Sequence, residues 1–177
     1  MKKLFLIPLA LSLSFCNCQK TAVAATSTKP SIESTIESAC PENGVCTIQI
    51  QKGKSMNVKA DEFGSVYYNL EDDATKSVIV YEYNRNVEKG LQDGQHKEEI
   101  VFEINNSDTK LAVSDFNLQS TKMLFGRHCF CKGQAGFYKV MEGKLNLENT
   151  KGVISVDLDF KVSQVPQLYT TVKATIQ

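Results

Sequence analysis

Residues 144–162 read KLNLENTKGVISVDLDFKV. Leu145 and Leu147 alternate with polar neighbours up to Asn149-Thr150-Lys151-Gly152. Beyond that point Ile154, Val156, Leu158, Phe160 and Val162 occupy every second position. A period of two puts one set of side chains on one face of an extended strand, whereas a helix would scatter the same residues around its axis. Polar residues and a glycine between two such runs predict a tight turn, so the segment reads as an antiparallel hairpin. Asp157, Asp159 and Lys161 fall on the opposite face. The two aspartates therefore read as solubilising groups on a wet surface rather than as a catalytic carboxylate pair.

The same alternation extends outward along the chain. Ile100, Phe102 and Ile104 share one face of a strand, with Val101 and Glu103 on the other. Val78 and Val80 alternate with Ile79, Tyr81 and Tyr83, apolar on both sides, as expected of a central strand. Gly64, Gly90, Gly94, Gly126, Gly133 and Gly143 punctuate the rest, with a tight turn expected at Asp93-Gly94. Pro166 is expected to close an edge before a last strand near residues 168–176, because proline cannot donate to a ladder. Tryptophan is absent, so phenylalanine and tyrosine must supply the bulky packing. The pattern predicts an all-β fold, an antiparallel sandwich or barrel of about 8–10 strands. The folded domain is expected over residues 40–177, a length that buries enough surface for one core.

The start of the chain has a different composition. Lys2 and Lys3 precede an apolar run, Leu4 to Phe15, that is too short to span a bilayer, and this reads as a signal peptide over residues 1–15. Leu13-Ser14-Phe15-Cys16 resembles a bacterial lipobox. The resemblance implies cleavage before Cys16 and lipid attachment to its sulfur, with Cys18 as the alternative because Phe15 is larger than the residue usual there. A rival site, Ala22-Val23-Ala24, would instead release a soluble secreted or periplasmic protein. Residues 16–39, rich in Ala, Thr, Ser and Lys, read as the lipidated N-terminus and a flexible linker. The expected address is the cell envelope, with the domain anchored to the outer membrane.

The whole chain carries 20 basic and 20 acidic side chains. Loss of residues 1–15 removes two lysines and leaves the balance slightly acidic. That argues against nucleic acid as a partner, since phosphate backbones call for clustered excess cation. Gly53-Lys54-Ser55 imitates the end of a phosphate loop, but the glycine required five residues earlier is Ile48, and a hairpin turn before a strand at 56–60 fits better. Glu71-Asp72-Asp73 lacks the spacing and glycine of a calcium loop. The two histidines, His96 and His128, lie in no metalloprotease motif, no nucleophile elbow is present, and His96 sits in a charged stretch that predicts exposure. No catalytic residue, cofactor or metal is assigned.

Four further cysteines, Cys40, Cys46, Cys129 and Cys131, lie within the expected domain. In an exported protein they read as two disulfides, and three pairings are possible. Pro41-Glu42-Asn43-Gly44 has the chemistry of a turn that would join Cys40 to Cys46, closing a short loop worth about 2.4 kcal/mol on the chain-entropy model. Cys129 and Cys131 would then have to pair with each other, and an extended strand holds such Cα atoms about 6.5–7 Å apart, so a bend is needed. Crossed bridges would close loops of about 90 residues, each worth about 4–5 kcal/mol alone. The crossed arrangement is narrowly favoured on these grounds, and the local one stays open.

Gly126-Arg127-His128-Cys129-Phe130-Cys131-Lys132-Gly133-Gln134, then Gly136-Phe137-Tyr138-Lys139-Val140 and the closing hairpin, resemble small uncharacterised lipoproteins of Bacteroidota. Cys16-Asn17-Cys18-Gln19-Lys20 is similar to their export region. The resemblance implies an envelope address and a lipidated cysteine, with no activity attached. The function expected from the sequence is a membrane-anchored binding or structural module for an envelope protein or small ligand. The alternative is a thiol-redox or metal-handling protein using Cys129 and Cys131.

Overall fold

The computed structural model describes residues 33–88, 90–91 and 93–177. Residues 1–15, read as a leader, and Cys16 and Cys18 lie outside the described residues. The hairpin that opened the reading is β8, Glu142–Thr150, and β9, Val153–Lys161, with Leu145 opposite Leu158 and Leu147 opposite Val156. Lys151 and Gly152 make the turn with φ of 54° and 86°. Two consecutive left-handed residues give a turn whose twist matches that of the strands, and glycine takes the second position without steric cost.

The remaining strands are β1 (Ser34–Ile36), β2 (Gly44–Ala60), β3 (Val66–Arg85), β4 (His96–Asn105), β5 (Lys110–Ser114), β6 (Leu124–Cys129), β7 (Gly136–Lys139) and β10 (Thr171–Ile176). A 3-10 helix, Asp115–Thr121, carries the chain from one sheet to the other. The sheets have the orders β1-β10-β9-β8-β5 and β2-β3-β4-β6-β7, and every pairing is antiparallel. The all-β expectation holds.

The two sheets bury their facing sides against each other. Leu145, Leu158 and Val172 of one sheet meet Ile79, Ile100 and Phe102 of the other in one core. Tyrosine and phenylalanine do the bulky packing: Tyr169 lies with ring centroids 5.0 Å from Tyr81 and 5.8 Å from Phe160, both edge-on. Such pairs contribute about 0.5–1.5 kcal/mol each beyond area burial.

A second core lies on the other face of β4. Met56, Val78, Val80, Val101 and Leu124 are buried there, with Tyr68, Leu70 and Phe137 packed against them. It exists because the hairpin β2–β3 is far longer than its neighbours and bends. The register shifts between Lys52 and Lys54, and the far end of the hairpin returns so that Val66 pairs with Phe137 of β7. β3, β4, β6 and β7 thus close into a small four-stranded barrel, with β2 as an additional strand. This explains why Val78 and Val80 are apolar as well as Ile79, Tyr81 and Tyr83.

Three local expectations change. Gly53-Lys54-Ser55 is not a hairpin turn: β2 runs through it, and the irregularity is a bulge. Residues 34–36, inside the stretch read as linker, form β1 and pair with β10 as Ser34–Ile176 to Ile36–Ala174. Ile36 packs against the main core, so a single apolar side chain and an open sheet edge recruit the segment. His96, read as exposed, is 8% exposed. It shares the parity of Ile100 and Phe102 and so points inward.

The cysteines adopt the local pairing rather than the narrowly favoured crossed one. Cys40–Cys46 and Cys129–Cys131 stand at disulfide distance, with Cα separations of 5.8 and 5.2 Å. The second value is shorter than an extended strand allows, because β6 ends at Cys129 and the chain bends at Phe130.

Candidate functional site

β6 is the strand on which the chemically active side chains converge. It runs between β4 and β7, placing His96 opposite Cys129, Lys97 opposite His128, Glu98 opposite Arg127 and Glu99 opposite Gly126. Directly opposed residues share a face, so alternation sorts these into two groups. His96, Glu98, Arg127 and Cys129 face the main core. Lys97, Glu99 and His128 face the side of the small barrel.

In the first group Glu98 is fully buried. Its Oε1 lies 2.6 Å from Arg127 Nη1 and 3.0 Å from His96 Nε2, and its Oε2 accepts the Leu168 N–H at 2.8 Å. Arg127 Nη1 also donates to the Pro166 carbonyl at 2.6 Å. A buried carboxylate would be costly alone, but here one guanidinium, one imidazole and one backbone amide satisfy it. The cluster also holds the loop between β9 and β10, which carries Pro166, Leu168 and the buried Tyr169.

In the second group Glu99 Oε1 lies 2.6 Å from His128 Nε2 and 3.1 Å from Lys97 Nζ. Burial alone would raise the Glu99 pKa, but the hydrogen bond from His128 and the Lys97 charge outweigh it and hold the carboxyl below its usual range. Burial would likewise lower Lys97, and its contacts with Glu82 and Glu99 reverse that, leaving it raised. Burial first, and then the Glu99 charge, push the Tyr68 hydroxyl up. His128 packs edge-on against Phe137 at 5.2 Å.

At the opposite end of the small barrel Glu103 plays a matching part. Its Oε2 accepts the Met56 N–H at 2.8 Å, while Lys122 Nζ donates to the Met56 carbonyl at 2.6 Å and to Glu103 at 3.0 Å. Side chains here complete the backbone pairing that a neighbouring strand would otherwise provide.

Cys129 and Cys131 sit where these groups end, half-buried, with Phe130 between them 83% exposed. The Gln134 N–H donates to the Cys131 carbonyl at 3.1 Å, closing the turn that follows. Cys40 and Cys46 lie apart from them at the start of β2, where Tyr83 Oη donates to the Glu42 carbonyl at 3.1 Å. The structure thus joins each cysteine to its near neighbour and does not assemble all four. Among the described residues no three His, Cys, Asp or Glu side chains are grouped as ligands for a metal ion.

Comparison with known protein families, curated proteins and solved structures found nothing similar to this chain.

The sequence reading gives Glu98 and Arg127 no role and puts His96 at the surface, although a signal was there. Glu98 has the parity of Ile100, Phe102 and Ile104, and Arg127 that of Phe125. Opposite charges at core-facing parity on two strands announce a buried ion pair once those strands are known to be neighbours.

Proposed function

We propose that this chain is an exported lipoprotein of the cell envelope whose β-domain serves as a binding or structural module. The observation that carries the reading is Leu13-Ser14-Phe15-Cys16 at the end of a short apolar leader. Two cysteine pairs at disulfide distance support it, since such bridges persist mainly outside the reducing cytosol. Lipid on Cys16, or on Cys18 in its place, anchors the domain to the outer membrane. One acyl chain holds only marginally, and each buried methylene adds about 0.8 kcal/mol, so several chains on one cysteine make release negligible. The domain then meets an envelope protein or a small ligand.

Intact mass of the protein extracted from membranes tests the anchor. The expected product lacks residues 1–15, carries lipid on Cys16 and partitions into detergent. Cys16→Ser abolishes the lipid, while Cys18→Ser retains it. A chain retaining Met1 in the cytosol, or one cut after Ala24 without lipid, overturns the proposal. For the module, the immobilised domain is exposed to envelope extracts. Saturable retention of one component, competed by free domain, supports a binding role, and repeated empty captures count against it.

A further inference from the structure

The Cys129–Cys131 bridge and the fold around it are mechanically separable. Cys129 is the last residue of β6, which is hydrogen-bonded to β4 from His96 to Val101 and to β7 from Gly136 to Lys139. Cys131 is held by its own turn, through the Gln134 N–H. Each position thus has backbone hydrogen bonds besides the sulfur–sulfur bond. The bridge spans a sequence separation of only 2, against 6 for Cys40–Cys46, so it removes less chain entropy from the unfolded state than its counterpart does.

Its surroundings also favour exchange. Both cysteines are partly accessible, and disulfides within reach of solvent are the ones that thiolates attack. Phe130 projects between them as an exposed ring that an approaching partner would cover.

We propose that Cys129–Cys131 is a redox-active disulfide that exchanges with a dithiol while the β-sandwich stays folded. One thiolate of the donor dithiol attacks Cys131 Sγ, the sulfur on the loop. The bond to Cys129 breaks, and Cys129 leaves as a thiolate that takes up a proton. The donor's second thiolate then attacks its own sulfur in the mixed disulfide, and Cys131 leaves and is protonated in turn. Two electrons and two protons pass from the donor, which becomes a disulfide, to Cys129 and Cys131, which become thiols. The inference is independent of the lipid anchor, and failure of either leaves the other standing.

The test uses the full chain equilibrated in dithiothreitol buffers of graded reduced-to-oxidised ratio, quenched by alkylation and read by peptide mass, with circular dichroism on the same samples. Cys129 and Cys131 are expected to take up two alkyl groups at a ratio about threefold or more lower than Cys40 and Cys46, with unchanged dichroism, and to reoxidise on returning the ratio. A Cys129→Ser variant is expected to form a stable mixed disulfide with glutathione disulfide through Cys131, the sulfur the donor attacks, with release of one glutathione thiol. Reduction of both pairs at one ratio, alkylation of Cys129 and Cys131 only upon unfolding, or thiols that fail to reoxidise would each overturn the proposal. In Cys129→Ser/Cys131→Ser an unchanged midpoint for Cys40–Cys46 is the expected control, and a shifted one overturns the claim that the bridge is separable.

Discussion

At the residue scale the protein concentrates its risk in one carboxylate. Glu98 has no exposure and three donors, so the cost of its burial is met only while all three remain. Replacing it with alanine strands the Arg127 guanidinium in a buried position. Removing one partner of a buried pair typically costs about 3–5 kcal/mol. Urea unfolding of Glu98→Ala is therefore expected to show a loss of that order, with Glu98→Gln losing less because its amide still accepts from Leu168. A loss within the range of a surface pair would refute the description of the cluster. Gly126 is critical for a steric reason. A Cβ there would lie 2.7 Å from the Phe137 ring, 2.8 Å from Glu99 Cγ and 2.8 Å from His128 Nε2. Gly126→Ala is thus expected to push apart the Glu99–His128 contact and to cost about 1–3 kcal/mol, as overpacking usually does. Thermal melts of Gly126→Ala beside Gly133→Ala, where a Cβ meets nothing within 4 Å but φ is 72°, separate the cost of crowding from that of left-handed backbone strain.

The element that matters most is the bent β2–β3 hairpin. Its far half covers a small core of five buried side chains and is secured at Met56 by Glu103 and Lys122. Burial would raise the Glu103 pKa, yet the hydrogen bonds from Lys76, the Met56 amide and Lys122 outweigh it and hold the carboxyl low. A folded-state pKa below the unfolded value contributes stability that is complete above the unfolded pKa, about 4.3, and is lost as pH falls through the folded one. Glu99 acts in the same sense at the other end of the barrel. Melting temperature is therefore expected to fall as pH drops below about 4.5, and Glu103→Gln is expected to flatten that dependence. In the same variant, hydrogen exchange in residues 54–60 is expected to accelerate ahead of that in 78–83, since only the far half loses a fastening. Equal acceleration in both segments would show that the hairpin opens as one piece.

At the scale of the whole molecule, Cys40–Cys46 ties the segment entering β2 to the sandwich. Its loss in Cys40→Ser/Cys46→Ser is expected to lower stability by about 2 kcal/mol with the fold retained, the value the chain-entropy model assigns to so short a loop. Calorimetry gives the magnitude, and failure to fold would show that the bridge does more than close a loop. Much of the architecture was legible beforehand. Leu145 to Val162 declared a hairpin, and Ile100, Phe102 and Ile104 declared an inward face, because burial on one side of a strand imposes a period of two whatever the neighbours are. Gly152 behind Asn149-Thr150-Lys151 declared a turn because glycine accepts left-handed backbone, while the pairing of Asn149 and Thr150 in β8 narrowed it to Lys151-Gly152. Those properties are local and reside in the chain itself. Other features depended on which distant segments meet. β1 forms because an open edge of β10 lies beside Ile36, and no intrinsic preference of residues 34–36 announced it. Glu98 and Arg127 became partners only when β4 and β6 were laid side by side, and the folding of β3 back onto β7 gave Val101 and Leu124 a second interior. The cysteines show the same division. Their number and the expected export suited two bridges, but pairing is decided by Cα separation, and that was set when β6 ended at Cys129 and the chain turned at Phe130.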